Sequence, residues 1–147
     1  MDKQKFEEYI ARRYRDQISW YDKKAATNKR LYQVLETLLI MLSVLTPILV
    51  AIIQPKILPI IISLAVAILA SVLKIFKYQE NWINYRTTCE TLKKELYFYD
   101  AGLNDYSSSK DKEAHFVERV ESLISRENTL WLSIHKEEKK ARQKTGQ

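Results

Sequence analysis

The side chains best suited to catalysis or metal binding are few in this sequence and stand far apart. His115 and His135 are twenty residues apart, which puts them about 200° apart around one helix, so they cannot share a metal ion. Cys89 is the only cysteine and falls on a helix seam, where a buried structural thiol is a commoner role than a nucleophile. The only glycines, Gly102 and Gly146, cannot form a glycine-rich phosphate loop. We therefore expect no catalytic residue, no cofactor and no metal site, and we predict that the protein is not an enzyme.

A second set of polar residues lies in and beside a long uncharged segment. Glu36, Ser43 and Gln54 fall within about 20° of one another on a helix, and Thr46 lies about 80° away. In a membrane helix this line could border a water-filled path, with Glu36 favouring cations at the mouth. Two plainer roles stay open. Ser43 could compensate for the amide hydrogen missing at Pro47, and Glu36 could be a solvated or ion-paired acid at the membrane edge.

Small residues share one face of the next uncharged segment. These residues are Ser63, Ala67, Ala70 and Ser71. Small side chains at helical spacing let membrane helices approach closely. We expect them to serve transmembrane packing, either within the chain or between copies.

Two uncharged runs carry these residues, 37–55 and 57–73. At about 1.5 Å per residue the runs are roughly 25–28 Å long, close to the ~30 Å apolar core of a bilayer. Neither run has the polar face of a soluble amphipathic helix, and the remaining chain is too short to bury two such helices. The sequence therefore predicts two transmembrane helices, although the mean hydropathy of the whole chain is −0.32.

The distribution of Lys and Arg predicts the orientation of these helices. Four basic residues lie in the twenty positions before residue 37 and four in the twenty after residue 73, but only Lys56 lies in the "IIQPKILP" connection. The positive-inside rule therefore predicts a protein of the inner or plasma membrane with both termini in the cytoplasm. Basic and acidic residues alternate along both flanks, so the net charge of +6 does not indicate a nucleic-acid surface, and we expect no nucleic acid partner.

The flanking segments are helical and rich in aromatic residues. All sixteen Phe, Trp and Tyr residues lie outside the uncharged runs, a number typical of a packed core. Heptad-like spacing predicts that helices pack through a common seam. The predicted core of this cytoplasmic bundle consists of Trp82, Tyr85, Cys89, Leu92, Leu96, Tyr99, Phe116, Val120, Leu123, Leu130 and Trp131.

The predicted fold is that of an all-α membrane protein. A two-transmembrane helical hairpin has long cytoplasmic helix extensions, and a third cytoplasmic helix completes the bundle. With no helix breaker between Ile60 and Asp100, we expect the second transmembrane helix to continue straight into the cytoplasm and to end near Gly102. The whole chain, 1–147, forms one domain with these parts: an N-terminal cytoplasmic helix 1–33, transmembrane helix 34–54, external turn 55–58, transmembrane helix 59–78, cytoplasmic continuation 79–103, loop 104–113 and C-terminal cytoplasmic helix 114–142.

Three stretches resemble the SLATT domain, a family of small bacterial proteins with two transmembrane helices and a helical cytoplasmic part. They are "YRDQISWYDKKAATNKRLY", "WINYRTTCETLKKELYFYDAGLNDY" and "HFVERVESLISRENTLW". The resemblance implies a pore-forming or membrane-perturbing effector of bacterial conflict systems. It also implies that a separately encoded sensor or nucleotide-second-messenger system would supply the trigger, since the sequence carries no such domain.

Two functions are therefore expected as alternatives. The first is an oligomeric pore-forming or ion-conducting protein whose cytoplasmic bundle assembles or gates it. Its partners would be further copies of itself and the lipid bilayer, because two helices alone cannot enclose an aqueous path. The second is a membrane-anchored helical interaction module that recruits a soluble partner without conducting.

Overall fold

The computed structural model describes residues 1–126, which are helical apart from short connections. Most of residues 3–52 form one continuous helical stretch that contains a π-helical segment, Tyr9–Tyr14. A 3₁₀ turn, Asn104–Ser107, precedes the final helix. The helices are α1 (Lys3–Glu8), α2 (Arg15–Ile52), α3 (Ile57–Phe76), α4 (Tyr78–Ala101) and α5 (112–126).

The chain divides into two compact units. We call the first the aromatic unit; it comprises Met1–Tyr21 and Arg86–Gln147, of which the structure describes residues up to 126. We call the second the apolar unit; it comprises Asp22–Tyr85 and contains α3 and most of α2.

The connection between α2 and α3 is short and lies at the prolines. Helix α2 ends at Ile52, the Gln54–Pro55 peptide bond is cis, and α3 begins at Ile57. A proline supplies no amide hydrogen and disfavours helical geometry in the residue before it, which explains why the helix stops here. Gln54 therefore lies outside both helices, whereas the sequence had placed it within a helix ending at residue 54.

The expectation of a straight helix from the second uncharged run into α4 is wrong at one residue. Lys77 adopts left-handed geometry with φ 49°, and it separates α3 from α4. Its amide donates to the Leu73 carbonyl at 3.1 Å, and the Asn81 side chain donates to the Phe76 carbonyl at 3.0 Å. These hydrogen bonds compensate for the break. No Gly or Pro in this part of the sequence signals that the helix is interrupted here.

Helix α4 ends with a Schellman motif at the glycine that the sequence predicts as its C-cap. Gly102 has φ 63°, in the left-handed region where glycine lacks the steric penalty of a Cβ. Its amide donates to Tyr99, and the Leu103 amide donates to Phe98, at 3.1 and 3.0 Å. These two bonds are the 5→2 and 6→1 pair that defines the motif.

The core of the aromatic unit is built around Phe116 of α5. This ring is fully buried and lies 5.4 Å from the ring of Tyr14 and 5.2 Å from that of Tyr99, measured between centroids. Phe6 meets it edge-on at 5.7 Å, and Tyr106 lies at 6.4 Å. Tilted and edge-to-face contacts of this kind add to the free energy gained by burial, so four segments distant in sequence meet at one side chain.

Other members of the predicted core differ in their burial. Cys89, Leu92 and Val120 are fully buried together with Phe116. Near the end of the described part of α5, Ile124 is buried, while the neighbouring Leu123 of the predicted core is half-buried. Trp82, Tyr85, Leu96 and Tyr99 are also half-buried, and Leu130 and Trp131 lie outside the described residues.

Inside the apolar unit, α2 and α3 each have one half-buried face. Residues 32–39 of α2 and 70–74 of α3 contribute to the same cleft. Most of the less exposed residues recur every three or four positions, the spacing of helices that pack along a seam. They are Tyr32, Leu35, Glu36, Leu39, Leu42, Thr46 and Leu49 in residues 32–52 of α2, and Pro59, Ile62, Ala65, Val66, Leu69, Val72 and Leu73 in α3.

We expect Phe116→Ala to destabilise the aromatic unit by about 3–5 kcal/mol, the usual cost of removing a buried aromatic ring. The free energy of unfolding in detergent micelles, followed by intrinsic fluorescence, measures this loss. Tyr97→Ala is the matched control, because this ring is 72% exposed on α4 and its removal should change stability by less than about 0.5 kcal/mol. Equal losses in the two variants would contradict a core centred on Phe116.

Candidate functional site

Large apolar side chains cover the outside of both long helices of the apolar unit. In the most apolar 18-residue window of each helix, 0% and 6% of the residues are buried. Core helices of soluble proteins are mostly buried, whereas these two windows are almost entirely unburied. Both are long and apolar enough to cross a membrane. The exposed side chains are Val34, Leu38, Ile40, Met41, Val44, Leu45, Ile48, Val50 and Ile52 in α2, and Ile57, Leu58, Ile60, Ile61, Leu64, Ile68, Ile75 and Phe76 in α3.

Four hydroxyl groups within the uncharged runs bond to their own helices. Each donates its hydrogen to the carbonyl oxygen four residues earlier, at 2.7–2.9 Å. The donor is thereby satisfied without water, as an apolar environment requires, while the hydroxyl oxygen can still accept. The pairs are Ser43 with Leu39, Thr46 with Leu42, Ser63 with Pro59, and Ser71 with Ala67.

The candidate pore-lining residues of the first uncharged run differ in their exposure. Ser43 is exposed, while Glu36 and Thr46 are half-buried. Gln54 is exposed and lies in the connection after the end of α2. The 100° repeat of the helix therefore does not determine on which side its side chain lies. The Ser43 hydroxyl donates to Leu39, one turn before the gap left by Pro47. It therefore does not replace the missing amide.

The candidate packing residues of the second uncharged run are exposed, although one of them, Ala70, lines the cleft to which α2 also contributes. Ser63, Ala67, Ala70 and Ser71 are all exposed, whereas mostly larger residues of α3 form the half-buried face. Of the two roles expected for them, packing within the chain has no support from their burial. Their face is open to contact another molecule.

Charged residues collect in a cleft of about 490 Å³ at one end of the uncharged runs. The charged lining residues are Glu36 of α2, Lys74 of α3, Lys77 at the helix break, and Glu80 of α4. Lys77 and Glu80 form an ion pair at 3.6 Å. Among residues 1–126, neither Glu36 nor Lys74 makes an ion pair or a side-chain hydrogen bond. The cleft thus holds one carboxylate and one ammonium group that the described residues leave unpaired.

The opposite walls of the cleft are apolar or aromatic. Leu39, Ala70 and Leu73 line it on the side of the uncharged runs, and Tyr32 and Gln79 complete the lining. Glu36 directly precedes one uncharged run and Lys74 directly follows the other. The cleft therefore changes from apolar to charged at the ends of the spans.

Aromatic rings surround the same end of the apolar unit. Phe76 stacks on Tyr78 with 5.5 Å between ring centroids, and the Lys29 ammonium lies 5.3 Å from the centre of the Trp82 ring. Amphipathic aromatic residues of this kind are enriched where membrane helices meet water. The aromatic residues and the charged cleft lie at the same end of the uncharged runs.

A buried carboxylate in the aromatic unit has two partners. Glu95 is 4% exposed, and its Oε1 accepts a hydrogen bond from Tyr106 Oη at 2.6 Å. Arg119 Nε lies 2.5 Å from the same oxygen as an ion pair without hydrogen-bond alignment, and Arg119 Nη1 donates to Asp105 at 2.7 Å. Burial, followed by the bond to Glu95, raises the pKa of Tyr106 above its usual value. This network joins α4, the 3₁₀ turn and α5.

A second network joins the N-terminal segment to α5. Arg13 donates through Nε and Nη2 to the two oxygens of Glu121, at 3.1 and 3.3 Å, and Tyr9 Oη donates to Oε1 at 2.9 Å. The hydrogen bonds from Arg13 lower the pKa of Glu121. Glu121 of α5 thus has its partners on the N-terminal segment.

The cysteine and histidine side chains, the first candidates for catalysis or metal binding, do not form a reactive site in residues 1–126. Cys89 is fully buried, with Sγ 3.7 Å from the Ile18 carbonyl oxygen, so a solute does not reach its thiol. His115 packs edge-on against Tyr106 with 5.3 Å between ring centroids, and His135 lies outside the described residues. Residues 1–126 contain no group of three or more His, Cys, Asp or Glu residues that could hold a metal ion.

Lys74 and Lys77 of the cleft and the Glu95 network are not among the site residues predicted from the sequence. A signal for Lys74 was present, because it is the first charge after an uncharged run. Glu95 lies beside Leu92 and Leu96 of the predicted seam, a position from which a helix side chain can reach the core. Lys77 had no such signal, since its role follows from the left-handed break.

We expect Glu121→Gln to destabilise the aromatic unit at pH 7 by about 0.2–1 kcal/mol, the usual size of a partly exposed ion pair. A carboxyl pKa lowered by folding stabilises the protein at pH values above its unfolded-state pKa, and this stabilisation is lost as the pH falls through the lowered value. The difference between wild type and variant should therefore shrink on acidification. Unfolding measured from pH 7 to pH 3 tests this, with the exposed Glu118→Gln on the same helix as the control. A difference that is independent of pH would contradict the assignment.

Comparison with known proteins identifies the family. A family model described as "Protein of unknown function (DUF4231)" matches residues 16–114. The match includes both uncharged runs, every residue that lines the charged cleft, and the whole of α4. No curated protein and no solved structure matches the chain. Because the matched residues make up more than half of the 147, this chain belongs to the DUF4231 family of proteins of unknown function.

Proposed function

We propose that this chain is an integral membrane protein whose helices α2 and α3 cross the bilayer. The observation that carries the proposal is the exposure of large apolar side chains along the whole length of two uncharged helical runs. In water an apolar surface of this extent would drive aggregation, whereas in a bilayer it faces hydrocarbon. The internal hydrogen bonds of the four hydroxyl groups suit the same environment.

In the proposed orientation both flanks of the hairpin face the cytoplasm. The basic residues on either side of the spans, the charged cleft and the aromatic rings near it would lie at the cytoplasmic surface. Lys56, in the connection between α2 and α3, would lie at the opposite surface. The aromatic unit would then be a cytoplasmic domain.

We further propose that several copies assemble into a pore. Two helices cannot enclose water, so conduction requires an oligomer, and the exposed small residues of α3 offer a face for close contact between copies. Ser43 is exposed on α2 and Glu36 lies near the same helical line, at the end where solutes would enter. The resemblance to the SLATT domain supports a pore-forming effector of bacterial conflict systems, assembled or gated by the aromatic unit and triggered by a separately encoded sensor or second-messenger system.

A non-conducting interaction module is the second candidate function, and two observations favour it. The hydroxyl groups of both spans donate within their own helices, so they do not require a water-filled path. In addition, the aromatic unit has a groove of about 370 Å³ that a soluble partner could occupy. The groove is lined by Phe6, Glu7, Ile10, Ala11, Arg15, Leu96, Tyr99 and Asp100.

Ion flux separates the two functions. We expect the purified full-length protein to release cations from liposomes, and Glu36→Gln to lower the cation-to-anion permeability ratio several-fold, because an acidic group at a pore mouth concentrates cations. Ser43→Leu should reduce flux by obstructing the path, whereas Glu118→Gln in the aromatic unit and Val44→Leu in α2 are the controls. Fluorescence of an entrapped ion indicator measures the flux.

Absence of flux at every protein-to-lipid ratio would contradict the pore and leave the interaction module. The molecular mass in detergent, corrected for the bound detergent, gives an independent check. A monomer under all conditions would also contradict the pore, whereas membrane insertion would be tested separately by resistance to extraction at high pH.

A further inference from the structure

The charged cleft of the apolar unit has the composition of a site for an amphiphile. It joins apolar residues of the uncharged runs, Leu39 and Leu73, to charged residues at their ends, Glu36 and Lys74. A volume of about 490 Å³ falls within the range of roughly 300–1,000 Å³ that is common for small-molecule sites. A ligand that fills it must have an apolar part adjoining a polar part.

The charges of the cleft are balanced. Its lining has two ammonium groups, on Lys74 and Lys77, and two carboxylates, on Glu36 and Glu80. Lys77 and Glu80 pair with each other at 3.6 Å, which leaves Glu36 and Lys74 as the groups of opposite sign without a partner among residues 1–126. A ligand with one negative and one positive group complements this pair, whereas an anionic ligand would leave Glu36 unpaired and close to a second negative charge.

We propose that the cleft binds the headgroup of a zwitterionic phospholipid with a primary ammonium group, of the phosphatidylethanolamine type. Lys74 donates to the phosphate oxygens, and the ammonium group of the lipid donates to the Glu36 carboxylate. The glycerol backbone and the first carbons of the acyl chains contact Leu39 and Leu73. A quaternary ammonium group has no N–H to donate, so a choline headgroup loses the hydrogen bond to Glu36.

The location of the cleft agrees with a lipid source for this ligand. Glu36 and Lys74 border the uncharged runs on the same side, and the aromatic residues Phe76, Tyr78 and Trp82 lie near them in sequence and at the same end of the unit. This is the level of the headgroups if the runs span the bilayer. The inference therefore rests on the proposed membrane insertion, but it does not require conduction.

Native mass spectrometry of the full-length protein in detergent tests the proposal by adding one lipid at a time. The probes are phosphatidylethanolamine, phosphatidylcholine and phosphatidylglycerol with identical acyl chains. We expect phosphatidylethanolamine to bind several-fold more tightly than the other two. Equal binding of the three lipids would overturn the proposal.

Two single variants separate the two halves of the site. Lys74→Gln should lower phosphatidylethanolamine binding several-fold, because the phosphate loses its cation. Glu36→Gln should abolish the preference for phosphatidylethanolamine over phosphatidylcholine and increase the relative binding of phosphatidylglycerol. Lys56→Gln, at the far end of the spans, and Glu118→Gln, in the aromatic unit, are matched controls that should leave lipid binding unchanged. Unchanged lipid preference in both cleft variants would contradict the site.

A competition with soluble phosphoethanolamine distinguishes a lipid from a free headgroup. Because it lacks the apolar part that contacts Leu39 and Leu73, we expect no displacement of the lipid at equal concentration. Displacement would show a soluble ligand and overturn the lipid assignment. Lipid binding is measured independently of ion flux. If the protein inserts into membranes but shows no headgroup preference, only this inference is overturned. If the protein does not enter membranes, both this inference and the proposed function are overturned.

Discussion

The constraint on which the rest of this structure depends is that two long uncharged helical runs expose apolar side chains in almost every direction. In such a segment every backbone amide and carbonyl has to be satisfied within the helix, because neither a bilayer core nor an apolar partner supplies hydrogen bonds. Helices α2 and α3 meet this requirement except at Pro47, which has no amide hydrogen to donate, and four of their hydroxyl groups donate to carbonyls four residues earlier. The interruptions occur where the uncharged runs end, at the proline-containing connection and at Lys77.

The helix break at Lys77 connects the fold to the candidate site. By placing a left-handed residue between α3 and α4, it allows Lys74, Lys77 and Glu80 to line one cleft with Glu36 of α2. A straight helix would have directed these side chains by the regular 100° repeat alone. A local hydrogen-bonding arrangement involving Asn81 therefore contributes to the charge pattern at the ends of the spans.

The aromatic unit is held together differently, by a ring cluster with polar groups at its edge. Phe116 contacts aromatic rings from α1, α4 and the 3₁₀ turn. Near it, Glu95 and Glu121 accept hydrogen bonds from tyrosine and arginine side chains. A buried carboxylate without partners would be strongly destabilising. The polar pairs thus restrict which way α5 and the N-terminal segment can pack in this unit.

Periodicity and composition by themselves determined that the chain is helical, where the uncharged runs lie, that Gly102 ends α4, and that residues such as Leu92 and Phe116 belong to a packed seam. These properties depend on local geometry, in which each residue type has a strong preference. Only the tertiary structure decided that Glu36 and Lys74 line one cleft, that Glu95 pairs with Arg119, and that the small residues of α3 are exposed. It also decided the break at Lys77, because a left-handed lysine is unfavourable on its own and persists only through hydrogen bonds to neighbouring turns. Contacts between segments depend on how the helices rotate about their axes, and a repeat of 3.6 residues leaves that rotation open whenever a helix is apolar on every side.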